Sequence, residues 1–195
     1  RMSAPKAAAP RVSIITVTYN PGTLLAATVE SVRAQTYPHI EHIVVDGAST
    51  DGTLALLNDL EARQPPAPFI FRWISEKDKG IYDAMNRGLR MATGDYVWFL
   101  NAGDTIPHRD TLARALAACP GAGVIYGTAE LCDGAGRVLG LRDHKKLPKR
   151  LRRASLRTGM VVCHQSLIVA RSCAVPYDLR YAIAADIDWT IRVLE

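Results

Sequence analysis

Apolar residues in this chain alternate between short continuous runs and stretches with helical spacing. Val12 to Thr18 (Val-Ser-Ile-Ile-Thr-Val-Thr) is β-branched toward both faces, as a strand covered on two sides requires. Tyr19-Asn20-Pro21-Gly22 breaks it, and Thr23 is suited to cap a helix running to about Gln35, with Leu24, Leu25, Ala27, Val29 and Val32 among polar positions. Ile40 to Val45 predicts a second strand, ending in Asp46-Gly47-Ala48-Ser49-Thr50-Asp51-Gly52. Leu54, Leu56, Leu57 and Leu60 predict a second helix from Thr53, which Pro65-Pro66-Ala67-Pro68 closes. Phe69 to Ser75 reads as a third strand. Ile81, Met85, Leu89 and Ala92 predict a helix over Gly80 to Ala92, with Gly94 beyond its end. Tyr96 to Leu100 is then a fourth buried strand, followed at once by small and polar Asn101, Ala102, Gly103 and Asp104.

Regular strand–helix alternation predicts an α/β fold: a mostly parallel central sheet with helices on both faces. Downstream, Asp110 to Ala118 reads as a helix, Gly123 to Tyr126 as a short strand and Glu130 to Gly140 as a hairpin turning at Asp133-Gly134-Ala135-Gly136. Cys163 to Val169 predicts another strand. A loop carrying Asp178, Arg180 and Tyr181 leads to a last helix that begins around Ala184. Residues 1–10, rich in Ala and Pro, are expected to be a disordered lead-in. Residues 11–195 are expected to form one domain, with a nucleotide-binding half over 11–106 and an acceptor half over 107–195. The last helix has no Gly or Pro stop before Glu195, so the chain is expected to be C-terminally truncated.

Composition narrows the class. The 195 residues are 48% hydrophobic and 22% charged, enough for one substantial soluble core. No apolar run approaches a membrane span, and the opening residues lack the apolar middle of a secretory signal. Cys119, Cys132, Cys163 and Cys173 have no zinc-type spacing and are expected to be free, buried thiols in a reducing, cytoplasmic setting. The net charge of +5 is unevenly distributed. Arg142, Lys145, Lys146, Lys149, Arg150, Arg152, Arg153 and Arg157 face only Asp143. That block suits anionic lipid at the inner face of a membrane, a pyrophosphate, or simple solvation. It lacks the interleaved aromatics of a nucleic-acid binder, and no nucleic-acid module is recognisable, so no nucleic-acid partner is expected.

The candidate chemistry lies where the strands end. Thr18-Tyr19-Asn20, Asp46-Gly47, Glu76-Lys77-Asp78 and Asn101-Ala102-Gly103-Asp104 converge on one edge of a parallel sheet, where open α/β sheets bind ligands. Neither a Rossmann glycine fingerprint nor a P-loop is present. Phosphates here call for a metal, and Mg²⁺ or Mn²⁺ binds with one or two carboxylates plus substrate phosphates. Asp104 suits that role, and Asp46 suits a hydrogen bond from a base or ribose.

Four ordered segments carry a family resemblance: Val-Ser-Ile-Ile-Thr-Val-Thr-Tyr-Asn, Val-Asp-Gly-Ala-Ser-Thr-Asp-Gly-Thr, Asp-Lys-Gly-Ile-Tyr-Asp-Ala-Met-Asn-Arg-Gly, and Gly-Asp-Tyr-Val-Trp-Phe-Leu-Asn-Ala-Gly-Asp. Together they resemble glycosyltransferase family 2, in the branch of colanic-acid and other exopolysaccharide enzymes. The resemblance implies a GT-A fold and an inverting, metal-dependent transfer from a nucleotide sugar (a UDP- or GDP-sugar) to a glycan or polyprenyl-linked acceptor. It implies that Thr18, Tyr19, Asn20, Asp46, Asp78, Asn101 and Ala102 line the nucleotide-sugar site. Asn101 to Asp104 stands where the family has its DXD metal motif, with Asn101 and Gly103 in place of further carboxylates. The metal then rests on Asp104, with His164 as a candidate second ligand. Asp186, in Ala-Ala-Asp-Ile-Asp-Trp, matches the family's catalytic base, and Asp188 falls to structure or acceptor contact. The depleted acidic motif keeps an alternative open, a nucleotide-sugar-binding module without catalysis.

Overall fold

The computed structural model describes residues 8–134, 136–142 and 147–195. Residues 1–7 of the expected lead-in, and Asp143, Lys145 and Lys146 of the basic block, lie outside the described residues. The element order is β1 (Val12–Thr18), α1 (Leu24–Arg33), β2 (Ile40–Asp46), α2 (Thr53–Ala62), β3 (Ile70–Ser75), α3 (Ile81–Met91), β4 (Tyr96–Phe99) and α4 (Thr111–Ala118). It continues with β5 (Val124–Tyr126), β6 (Glu130–Cys132), β7 (Val138–Leu141), β8 (Leu167–Ala170) and α5 (Ala185–Val193), with 3₁₀ turns at Arg153–Leu156 and His164–Ser166.

Six strands form the central sheet in the order β3-β2-β1-β4-β8-β5. β1 pairs in parallel with β2 and with β4, and β2 with β3, whereas β8 runs antiparallel to both β4 and β5. This is the mostly parallel α/β sheet the alternating pattern predicts.

Period-2 alternation divides the core into two faces. Ile15, Val17, Ile43, Val45, Val97 and Phe99 meet Ala84 and Met85 of α3 and Trp189 of α5. On the other face Val12, Ile14, Ile40, Tyr96 and Trp98 meet Val32 and Leu112, while Val44 packs on Leu25, Val29, Leu57 and Leu60. α3 lies very close to β1, since a Cβ at Gly88 would come within 2.3 Å of Ile15 Cγ2. A side chain there would force the layers apart.

Some local expectations change. Thr23 precedes α1 but makes no side-chain capping bond. Phe69 stays outside β3, its N–H turned back to the Pro66 carbonyl at 3.3 Å. Residues 164–166, expected in a strand, form a 3₁₀ turn, because Ser166 N–H and Oγ both bond the Cys163 carbonyl. None of the four cysteines is in a disulfide, as expected, but Cys119 and Cys132 are exposed rather than buried. No helix among the described residues is long and apolar enough to cross a membrane.

Candidate active site

Chain direction across the sheet locates a crevice. From β1 the chain proceeds outward to β2 and β3, then returns to place β4 on β1's other side. The C-terminal ends of β1 and β4 therefore flank a topological switch point. Thr18 ends β1, and its buried Oγ1 has no hydrogen-bond partner among the described residues. Asn101 follows β4, and its buried Oδ1 is likewise unpartnered. Buried polar atoms are normally satisfied, so two exceptions at one switch point mark a place where a ligand can supply the missing bonds. The Asn101–Asp104 turn is held by Asp104 N–H donating to the Asn101 carbonyl at 3.0 Å, with Gly103 at φ 101° and its N–H donating to Thr28 Oγ1 at 2.9 Å. Ala102 N–H donates to the Val17 carbonyl at 3.2 Å, tying the turn to β1.

The other strand ends close around this point. Asn20 adopts φ 46°, donates its N–H to Ser49 Oγ at 2.7 Å and accepts from Thr50 N–H at 2.8 Å. Two loops are thereby locked together, and Tyr19 stands 65% exposed above them. Asp46 is fully buried: its carboxylate accepts from Ser49 N–H at 2.9 Å, from Ser75 Oγ at 2.6 Å and from Ser49 Oγ. Those contacts use its oxygens to organise the β2 and β3 ends. Asp78 Oδ1 accepts from Gly80 N–H at 2.9 Å. A Cβ at Gly47 would lie 2.6 Å from Asp78 Oδ2 and 3.4 Å from the Tyr19 ring, so only glycine leaves room for the Asp78 carboxylate where it stands. Arg87 secures the segment, reaching Glu76 Oε2 at 3.2 Å, the Lys77 carbonyl at 2.8 Å and Asp83 Oδ2 at 3.2 Å.

Asp186 lies in the first turn of α5, where the helix dipole favours a carboxylate. Ala184 precedes it with φ 66°, a left-handed turn that redirects the chain into the helix. Beneath lies an aromatic cluster. Trp189 packs edge-on against Phe99 at 5.6 Å between centroids and stacks on Tyr177 at 5.2 Å, and Tyr177 stacks on Tyr82 of α3 at 5.4 Å. Phe99 is the last residue of β4, two positions before Asn101. The cluster thus ties the helix bearing Asp186 to the strand leading into the Asn101–Asp104 turn. The Tyr82 phenol is raised above its ordinary range, first by burial and then by the neighbouring Asp186 carboxylate. Asp188 points to Arg192, which it meets at 2.8 Å.

His164 differs from its expected role as a metal ligand. It is 5% exposed, its Nε2 lies 2.7 Å from the Tyr177 hydroxyl, and Phe99 and Trp189 pack on its ring. Burial holds its pKa down at about 4, so it serves the cluster as a neutral imidazole. Among the described residues no group of three or more His, Cys, Asp or Glu side chains is gathered that could hold a metal ion. Asp104 is half-buried, and burial raises its pKa above the ordinary carboxylate value. A single carboxylate fits Mg²⁺ or Mn²⁺ when substrate phosphates complete the coordination, and does not fit a metal held by protein ligands alone.

Sequence reasoning missed Tyr82, Asn86, Tyr177 and Trp189. Two of them stand in the Asp-Lys-Gly-Ile-Tyr-Asp-Ala-Met-Asn segment, whose Tyr and Asn at i and i+4 share one helix face.

Comparison with known proteins gives concordant results. Residues 13–175 match the family model for glycosyl transferase family 2. An uncharacterised glycosyltransferase of Mycobacterium tuberculosis is 40% identical over 190 residues, 94% of this chain and 69% of that protein. A PGL/p-HBAD biosynthesis glycosyltransferase of Mycobacterium bovis is 36% identical over 192 residues, 95% of this chain and 70% of that protein. Among solved structures, S. aureus TarS 1-349 in complex with UDP superposes with TM-score 0.73 at 19% identity, over 94% of this chain and 55% of that one, which bears on the fold. The mannosyltransferase PcManGT of Pyrobaculum calidifontis, in complex with GDP-Man and Mn²⁺, is 35% identical with TM-score 0.54, over 60% of this chain and 35% of that one. The chain belongs to glycosyl transferase family 2.

Proposed function

We propose that this chain is an inverting glycosyltransferase of polysaccharide or glycolipid biosynthesis, moving a sugar from a nucleotide-sugar donor to a glycan or lipid-linked acceptor with Mg²⁺ or Mn²⁺. One observation carries the reading: the aromatic bridge from Phe99 to Trp189, which couples the switch-point turn to the helix carrying Asp186. In this reading residues 11–106 hold the donor and residues 107–195 face the acceptor. Tyr19 offers an exposed ring for a base, Thr18 Oγ1 and Asn101 Oδ1 have free bonding capacity for the nucleotide sugar, and Asn20, Asp46, Asp78 and Ala102 shape the walls.

Asp186 accepts the proton of the acceptor hydroxyl as that oxygen attacks the anomeric carbon. The new C–O bond forms on one face while the bond to the nucleoside diphosphate breaks on the other, inverting the centre. Asp104 and the donor's phosphates would hold the Mg²⁺ or Mn²⁺, which would supply positive charge for the departing diphosphate. Beside Asp186, Leu179, Tyr181 and Ile183 are exposed, and Ile183 is 86% so. That apolar rim favours an acceptor with a lipid or other apolar moiety next to its hydroxyl. PcManGT, which binds GDP-Man and Mn²⁺, supports the donor class and the metal.

The test is donor turnover by the complete protein with a panel of UDP- and GDP-sugars and Mn²⁺. Transfer or slow donor hydrolysis that disappears in Asp186→Asn is expected. Donor binding with no turnover under any condition would leave the non-catalytic module as the correct reading.

A further inference from the structure

Among the described residues the β6–β7 hairpin pairs only with itself, outside the six-stranded sheet. Arg142 N–H closes its base on the Ala129 carbonyl at 2.8 Å. Its strands show no inward and outward alternation. Leu131 is 47% exposed, Val138 58%, Leu139 69% and Leu141 56%. Isolated two-stranded hairpins are marginal in water, and this one gains no core burial from its apolar residues.

A basic segment stands at the root of the hairpin. The Tyr126 hydroxyl, at the end of β5 and three residues before Ala129, donates to the Pro148 carbonyl at 2.8 Å. Residues 147–157 contain Lys149, Arg150, Arg152, Arg153 and Arg157 and no acid, and all five side chains are exposed. Their backbone is anchored, because Leu151 and Leu156 are buried and Arg152 opens a 3₁₀ turn in which Ser155 Oγ accepts the Arg152 N–H at 3.2 Å. Arg153 also pairs with Glu195 at 3.1 Å. The cations are therefore presented outward from a fixed segment.

We infer that the β6–β7 hairpin and the Lys149–Arg157 segment together form a docking surface for an anionic lipid bilayer. Leu131, Val138, Leu139 and Leu141 enter the interface, and the basic side chains meet the headgroups. Charge complementarity selects the occupant: an apolar tip alone suits any hydrophobic partner, whereas residues 130–157 carry nine Lys or Arg against Glu130, Asp133 and Asp143, an excess of positive charge that matches anionic phospholipid. The surface stands independently of the glycosyl-transfer reading.

Co-sedimentation with phosphatidylcholine vesicles, with and without phosphatidylglycerol, tests it. The unmodified protein is expected to bind phosphatidylglycerol-containing vesicles at least about tenfold better, and to lose this at high salt. Val138→Ser with Leu139→Ser, and separately Lys149→Gln with Arg150→Gln and Arg152→Gln, should each weaken binding about tenfold or more while circular dichroism and nucleotide affinity stay unchanged. Equal binding to both vesicle types would overturn the proposal. So would either set of substitutions binding like the parent protein. Light scattering adds a further arm: a dimer dispersed by Leu139→Ser, with no vesicle binding by the parent, would assign the hairpin to a second copy of the chain and sink the lipid assignment.

Discussion

Asn86 grips Tyr177 from both sides: its Nδ2 donates to the Tyr177 carbonyl at 2.9 Å and its Oδ1 accepts the Tyr177 N–H at 2.7 Å. The two residues are 91 positions apart, so this double bond fastens the segment before α5 to α3. Asn86→Ala leaves both buried backbone groups unpaired, at about 1–3 kcal/mol each. A stability loss of about 2–6 kcal/mol in chemical denaturation is expected. Because Tyr177 stacks on Trp189, transfer should fall further than donor binding does. A loss confined to donor affinity would contradict this coupling.

Asp186→Asn removes the proposed base without changing shape. Transfer is expected to drop about 10²-fold or more, the size of a general-base contribution, while donor affinity stays within about twofold. Initial rates across pH, alongside nucleotide titration, separate the two effects. A parallel loss of donor affinity would move Asp186 into the nucleotide pocket.

Much of this was legible from residue pattern. The β1–β4 strands and α1–α4 follow directly from apolar runs and helical spacing, and the convergence of strand ends follows from parallel topology. The use of the polar residues was not legible. Asp46 looks like an open carboxylate in sequence, yet Ser49 and Ser75 occupy it, since only the folded loops bring Ser75 within 2.6 Å. His164 looks like a metal ligand until Tyr177, Phe99 and Trp189 enclose it. Glu41 is a further case: a charge inside β2, 1% exposed, that is satisfied by Ser13, Thr93 and Arg72, none adjacent in sequence. Long-range partners decide such residues, and local pattern carries no information about them.

Gly47→Ala tests the close approach of Asp78. The new methyl would stand 2.6 Å from Asp78 Oδ2, the tip of a rotatable side chain, and turning that side chain away costs about 0.5–1.5 kcal/mol. Nucleotide affinity should fall as Asp78 and Tyr19 are displaced. Adding Asp78→Ala should recover most of the lost stability without restoring affinity. Strict additivity of the two stability changes would show that the methyl's clash lies elsewhere.

Acid should destabilise the fold through its buried histidines. Burial lowers the pKa of His164 to about 4, and burial followed by the Arg33 charge lowers that of His42 to about 3, from an unfolded value near 6.5. Both are neutral when folded and bind protons more readily when unfolded. Their stabilising contribution is complete above about pH 6.5 and is lost as pH falls toward 4 and 3, on the order of a few kcal/mol each. Denaturation midpoints measured from pH 7 to 4 should therefore decline, and His164→Gln should flatten part of that slope. An unchanged slope in the variant would mean that His164 is not buried neutral.

Asp104 and Asn101 together test the metal. Asp104→Ala should abolish any Mn²⁺-dependent gain in nucleoside diphosphate affinity, read by calorimetry with and without metal. Asn101→Asp should act in the opposite direction. Asn101 Oδ1 is buried without a partner among the described residues, so a carboxylate there stands desolvated and costs about 1–3 kcal/mol of stability in metal-free buffer. With Mn²⁺ and nucleotide present, the same carboxylate would add a second acidic ligand to the metal site proposed at the Asn101–Asp104 turn. Affinity should rise and the thermal midpoint should recover, because a ligand that binds only the folded state stabilises it in proportion to the logarithm of its concentration over Kd. The metal must supply the rescue, since the side chain alone is destabilising. If Asn101→Asp were destabilised equally with and without Mn²⁺ and nucleotide, the turn would not be a metal site at all.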